Sequence, residues 1–295
     1  MKTAVIILNY NSRKDTIKYV NEIKDYEVLE TLIVVDNKSS NQGELEELQQ
    51  LKSDKTHVIQ SDKNGGYSYG NNFGLKYLET LPEKYDYVVI SNPDVEVSEE
   101  AFKVCFQELE NNEKVAACSP MMLDGNGKHI RRSAWKIRKP GIDMINSSRL
   151  NEVLFYHWFK EGEYPEEAYQ NPKLEVECIS GAFFVIKYQI FKEIGYFDEN
   201  VFLFYEEDIL ASKLKELGYA ELSLNTVSFK HFESQSIGSA MNYYTKIKRL
   251  QESKMYFQKN YNHINLWQTV LFTIINYWRR FELLFEIPIK KLIEK

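Results

Sequence analysis

The chain has 295 residues, 43% of them apolar and 27% charged, with a formal net charge of -6. That composition is ordinary for a folded protein and excludes global disorder, while the acidic balance argues against broad nucleic-acid binding, which needs a basic surface. Three scattered cysteines, Cys105, Cys118 and Cys178, lack metal-ligand spacing and read as buried thiols of a reducing compartment. The apolar run from Ala4 to Leu8 is too short for a secretory signal, so the expectation is a cytoplasmic protein.

In chain order, β-branched runs at 3–8, 31–35, 57–60, 87–90 and 115–119 alternate with amphipathic stretches at 14–24, 44–52, 69–78 and 99–111. Strands followed regularly by helices predict βαβ units. The fold class is therefore α/β, with a mostly parallel central sheet flanked by helices and ligands bound at the carboxyl ends of its strands. After the turn signal Asp124-Gly125-Asn126-Gly127, the chain to Pro172 is irregular and rich in Trp, Tyr and charge, and reads as an insertion over the sheet edge. An apolar segment at 176–186 is interrupted by Ser180-Gly181-Ala182, and 206–218 reads as a helix closed by Gly218.

From Asn242 onward the pattern is helical, which divides the chain into a domain at 1–240 and a helical extension at 241–295. Within the extension, 266–285 is apolar but broken by Gln268, Thr269, Thr273, Asn276, Arg279, Arg280 and Glu282, too often for a membrane-spanning helix. Two readings stay open there. One is a core-packing helix. The other is an interfacial helix with Trp and Tyr at headgroup depth and Arg279, Arg280, Lys290 and Lys291 near anionic lipid.

Four polar clusters directly follow apolar runs. In Val34-Val35-Asp36-Asn37-Lys38-Ser39-Ser40, a carboxylate at a strand end can accept hydrogen bonds from a ribose or a base edge, although Asp and Asn also form turns. In Asn64-Gly65-Gly66-Tyr67-Ser68-Tyr69-Gly70-Asn71-Asn72-Phe73-Gly74, glycines let backbone approach a ligand closely. This loop is neither a Walker A nor a G-x-G-x-x-G motif, which speaks against ATP hydrolysis and dinucleotide chemistry. In Ser91-Asn92-Pro93-Asp94, Asp94 is a candidate oxygen ligand for Mg2+ or Mn2+, an ion that would bring positive charge to an acidic protein. The run Glu206-Glu207-Asp208 offers a general base for a hydroxyl, or a first helical turn favoured by the helix dipole. His231 is a fifth candidate.

In this order the segments resemble the family-2 glycosyltransferases, particularly bacterial rhamnosyltransferase-like members that build capsule or cell-wall polysaccharide. The resemblance covers about 3–240. It runs through Val5-Ile6-Ile7-Leu8-Asn9-Tyr10-Asn11 and the clusters above, then Ile179-Ser180-Gly181-Ala182-Phe183-Phe184, Gly195-Tyr196-Phe197-Asp198-Glu199, the acidic run and His231. It implies a GT-A fold and inverting transfer of rhamnose or another hexose. The donor would be a nucleoside-diphosphate sugar (dTDP- or UDP-linked), and the acceptor a hydroxyl of a polysaccharide or lipid-linked glycan.

By motif match, Asn9, Asp36, Asn37, Asn64, Gly65, Gly70, Asn71 and Asn92 would line the donor pocket. Asp94 matches the last acid of the family's D-x-D metal motif, His231 the residue that closes over the metal-diphosphate, and Asp208 the base. Two departures are visible. Asn92 stands where the motif has its first acid, and Leu210 stands where many members carry a second Asp after the base, so the choice between Glu207 and Asp208 stays open. The expected setting is the cytoplasmic face of a membrane, with peripheral attachment; an oligomer is compatible with it. A sugar nucleotidyltransferase would need a Gly- and Arg-rich loop where Asn9-Tyr10-Asn11-Ser12 stands. A non-catalytic sugar or lipid binder on the same fold is the other competing reading.

Overall fold

A computed structural model describes residues 1–155, 162–232 and 243–293. The first half follows the predicted alternation: β1 (Thr3–Asn9), α1 (Arg13–Ile23), β2 (Thr31–Asp36), α2 (Glu44–Gln49), β3 (Thr56–Gln60), α3 (Gly66–Leu78), β4 (Tyr87–Ser91), β5 (Val95–Val97), α4 (Glu99–Asn111) and β6 (Val115–Leu123). Strands β2 and β4 are buried at every position, as strands covered by helices on both faces must be. Helix α4 starts where Ser98 accepts a hydrogen bond from the Ala101 amide, which satisfies one free donor of the first turn.

The second half comprises β7 (Ala134–Trp135), α5 (Pro140–Ile145), α6 (Arg149–Leu154), β8 (Lys173–Val176), β9 (Cys178–Ile179), β10 (Phe183–Lys187), α7 (Tyr188–Glu193), α8 (Glu206–Glu216), β11 (Ala220–His231), α9 (Tyr243–Asn260) and α10 (Leu266–Ile293). Among the described residues, nine strands form one mixed sheet in the order β3-β2-β1-β4-β10-β6-β11-β5, with β8 on β11, and β7 pairs with β9 separately. Six strands, β1 to β4, β6 and β11, run one way; β5, β8 and β10 oppose them.

The antiparallel β10 positions the site. Its first residue, Phe183, pairs with Ser91 at the end of β4, so Ser180-Gly181-Ala182 lies at the carboxyl edge of the parallel strands. Strand β11 is parallel to β6 and ends at that same edge, with His231 opposite Val95. Phe183 is also the central ring of one core layer, 5.2 Å from Phe102 and 5.3 Å from Phe229 between ring centroids.

The irregular 124–172 stretch does more than cover an edge. Its helices α5 and α6 pack against the C-terminal helices. Lys254 donates to the Asp143 carbonyl (3.2 Å) and to Ser147 (2.9 Å). Glu282 of α10 caps α6, accepting from the Ser148 hydroxyl (2.7 Å) and the Arg149 amide (2.9 Å).

Helix α10 turns its polar side inward. Asn276 and Arg279 are buried, and Arg279 pairs with Glu286 at 2.7 Å and Glu282 at 3.3 Å. Trp267, Ile274, Tyr277, Trp278, Phe281 and Leu284 face outward. Arg279 therefore lies away from the outward face on which the interfacial reading would set it near lipid, with its charge paired inside. Arg280 donates to Gln251 of α9, and the side chains of Lys290 and Lys291 fall outside the described residues. No helix among the described residues is long and apolar enough to cross a membrane.

Because Phe183 is fully buried between Phe102 and Phe229, Phe183→Ala is expected to cost about 3–5 kcal/mol, the range for deleting a buried phenylalanine ring. Urea unfolding of the two proteins measures this.

Candidate active site

At the end of β1 and β2 a closed polar network holds two loops together. Asn9 Nδ2 lies 3.2 Å from each of Asp36 Oδ1, Ser39 Oγ and Glu44 Oε1, and Asn9 Oδ1 accepts from Thr16 at 2.8 Å. Asp36 accepts from Gln60 Nε2 through its other oxygen at 2.7 Å. Both Asn9 and Asp36 are fully buried. Beside them an open cavity of about 390 Å3 is lined by Asn11, Ser12, Arg13, Asn41, Gln42 and Glu44.

The glycine-rich loop sits on this network. Asn37 Nδ2 donates to Asn64 Oδ1 (3.2 Å) and to the Gly66 carbonyl (3.0 Å). Gly70 is forced by packing, since a Cβ there would lie 2.3 Å from Leu8 Cδ1 and 3.0 Å from Asn37 Cγ. Gly66 has φ +89°, and a Cβ would lie 1.9 Å from the Phe202 carbonyl oxygen. The Tyr67 amide donates to that same carbonyl at 3.0 Å, so the loop is fastened to the segment that leads into α8. Asn71 is buried, and its Oδ1 has no hydrogen-bond partner among the described residues. Gly65 starts α3.

The acidic run opens α8 immediately after Phe204 and Tyr205, two non-glycine residues in the left-handed region at φ 71° and 69°. Glu207 Oε1 accepts from the Gly181 amide at 3.2 Å, and Tyr67 donates to the Gly181 carbonyl at 2.7 Å. The next residue, Ala182, accepts from the Asn92 amide at 2.8 Å. Two residues on from Asn92 stands Asp94, whose Oδ1 lies 3.4 Å from His231 Nε2. One chain of contacts thus joins Asp94, His231, Asn92 and Glu207 at the sheet's carboxyl edge.

Asp208 points the other way, into the 124–172 stretch. It accepts from the Arg138 amide (3.2 Å) through Oδ1 and from Trp135 Nε1 (3.3 Å) through Oδ2. The Arg138 guanidinium completes the pair at 3.6 Å. Burial pushes all three acids upward from their ordinary ionisation range. For Glu206 the Glu207 charge adds to burial, and its Oε2 has no partner among the described residues. For Asp208 the neighbouring Arg138 works against burial.

The sequence model described as Glycosyl transferase family 2 matches residues 4–195. The chain belongs to that family. This glycosyltransferase is 26% identical, over 97% of its length and 86% of the relative's, to the low-salt glycan biosynthesis hexosyltransferase Agl10 of Haloferax volcanii. Over 52% of the chain and 49% of the relative, it is 21% identical to the N-acetylglucosaminyl-diphospho-decaprenol L-rhamnosyltransferase of Mycobacterium tuberculosis. Its structure resembles the mannosyltransferase PcManGT from Pyrobaculum calidifontis, solved with GDP-Man and Mn2+. The TM-score is 0.52 at 14% identity, over 92% of this chain and 73% of that one. The likeness establishes the GT-A fold that the motifs implied.

Sequence reasoning assigned no role to Trp135, Arg138 or Asp143, which stand in an irregular stretch without periodicity. The only signal was compositional: an Arg and a Trp close together in a segment otherwise hard to assign.

Gly66→Ala must both leave a left-handed backbone conformation and displace the Phe202 carbonyl. It is expected to destabilise the glycosyltransferase by at least about 2 kcal/mol in urea unfolding and to weaken nucleoside-diphosphate binding in calorimetry.

Proposed function

We propose that the protein is an inverting hexosyltransferase, moving rhamnose or another hexose from a nucleoside diphosphate to a hydroxyl of a glycan, with Asp208 as the base. The observation that carries this reading is the Asp208–Arg138 pair. A base must be ionised to accept a proton, and Asp208 is the acid of the three with a guanidinium against it, 3.6 Å away. Glu207 is bound to the Gly181 amide and serves better to shape the floor of the site.

The buried Asn9–Asp36 network and the Asn64, Gly65, Gly66 and Gly70 loop support a donor pocket at the ends of β1 and β2. Asn9 and Asp36 contribute by holding that wall, because their polar atoms are already used within the fold. Asn37, Asn71 and Asn92 stand around it. The acceptor oxygen would bond to the anomeric carbon as the bond to the diphosphate breaks, and the acceptor proton would pass to Asp208. Trp135 orients the carboxylate through its N–H and offers an aromatic ring beside it.

Asp94 and His231 fit part of a Mg2+ or Mn2+ sphere. Their 3.4 Å separation is close to the roughly 3 Å between adjacent ligands of an octahedral ion with bonds near 2.1 Å. No third acid, His or Cys joins them among the described residues, so phosphate and water oxygens would complete the sphere. A bound ion there would supply positive charge against the leaving diphosphate.

Asp208→Asn is expected to lower kcat about 10²–10⁴-fold, the range for general base catalysis, while nucleoside-diphosphate affinity stays within about twofold. The measurement is product release from a panel of nucleotide sugars with and without Mn2+. Full activity in both Asp208→Asn and Glu207→Gln would sink the assignment.

The acceptor is proposed to be lipid-linked, with the protein seated on the membrane face where that lipid is held. The outward apolar face of α10 supports this, with Trp267 82% and Ile274 59% exposed. The mycobacterial relative's decaprenol-linked substrate points the same way. Liposome flotation tests it: Trp267→Ser with Ile274→Ser should release the protein from vesicles, and undiminished flotation would count against it.

A further inference from the structure

Arg138 is held at its carbonyl by Gln258 of α9 and by Asn262, two residues beyond the end of that helix. Its carbonyl accepts from Asn262 Nδ2 at 2.8 Å and Gln258 Nε2 at 3.3 Å. Its guanidinium lies over the Tyr205 ring at 4.6 Å and the Trp135 ring at 5.6 Å. Tyr205 is in turn anchored, donating to Asp143 Oδ2 at 2.7 Å, and Gln258 Nε2 donates to that same oxygen at 2.6 Å. Gln258, Asp143 and Asp208 are all fully buried. One amide side chain of α9 thus fixes both the backbone of Arg138 and the ring on which its cation rests.

We propose that Arg138 and Gln258 are positioning residues, through which α9 holds a guanidinium against Asp208 and sets that carboxylate's orientation. The inference rests on Asp208 being the base, and it makes α9 part of the catalytic apparatus. The groups around Asp208 explain why one cation matters. Glu206 and Glu207 precede it on α8, Asp143 and Tyr205 flank Arg138, Cys178 faces it from β9 and Glu221 from β11. All of these are acidic or neutral. Arg138 is the cation of this group, and its charge opposes the upward push of burial on Asp208. Without it the carboxyl holds its proton to higher pH. A base works only when deprotonated, so the acid limb of the rate profile must then move upward.

Three variants test this: Arg138→Met, Arg138→Lys and Gln258→Leu. Three readouts apply to each: the pH profile of kcat/KM, nucleoside-diphosphate affinity by calorimetry, and the 13C titration of the Asp208 carboxyl, assigned against Asp208→Asn. Arg138→Met should move both the acid limb and the carboxyl midpoint up by at least about one pH unit, a tenfold loss on the limb. Nucleotide affinity should stay within about twofold, and activity should recover at alkaline pH. Arg138→Lys should restore most of the original profile. Gln258→Leu should lower kcat at least about tenfold with KM for the donor little changed, as expected for a displaced group near the reacting atoms. An unmoved Asp208 midpoint in folded Arg138→Met overturns the proposal. Should that variant fail to fold, wild-type kcat in Gln258→Leu together with a wild-type profile in Arg138→Lys overturns it. A shifted midpoint combined with full transfer by Asp208→Asn would instead refute Asp208 as base and leave the positioning contact standing.

Discussion

Three adjacent carboxylates, Glu206, Glu207 and Asp208, are held largely out of water at the start of one helix, and most of the surrounding architecture compensates for that. An uncompensated ionised carboxylate costs several kcal/mol to bury. The helix N-terminus offers partial relief through its dipole, but three acids in sequence exceed what one dipole offsets. The remainder comes from elsewhere in the chain: the Gly181 amide for Glu207, and Arg138 with Trp135 for Asp208. Glu206 has an oxygen without a partner among the described residues, and burial with the adjoining Glu207 charge pushes its proton affinity up.

That arrangement also rationalises the backbone around it. Phe204 and Tyr205 occupy the left-handed region, where a non-glycine residue costs on the order of 1–3 kcal/mol. The strain is sustained because both neighbours are tied down: the Phe202 carbonyl by the Tyr67 amide, and the Tyr205 hydroxyl by Asp143. Glycine at positions 66 and 181 lets backbone approach where a side chain would collide with Phe202, Tyr67 or Glu207. The glycine-rich loop thus supports the acids as much as it shapes a donor pocket.

Much of this was legible beforehand. The runs at 31–35 and 87–90 announced buried parallel strands because they are continuously apolar and β-branched, and 99–111 matched its helix to the residue because its apolar spacing is regular and Ser98 caps it. The reversed strand β10 was not distinguishable, since a short apolar run such as Phe183 to Ile186 carries no sign of its direction. Nor was β11, whose pairing with β6 is irregular between Leu224 and Ser228. Which side of α10 faces inward stayed open, because apolar residues lie all around it; it buries Phe272 and Leu283 together with the Arg279 ion pairs. Arg138 escaped notice because its role depends entirely on tertiary contacts.

Glu282 of α10 caps α6, and α9 holds α5 through Lys254 and Gln258. The helices that complete the surroundings of Asp208 therefore come after every strand of the sheet in chain order. During synthesis the sheet can assemble early, yet the acids at its edge lack their full cage until residues 243–286 have been made. The nascent chain would pass through an interval in which its sheet is formed but its acid cluster is only partly covered. Cooperativity of unfolding should run in the reverse order, with the insertion and the last two helices opening together before the sheet does.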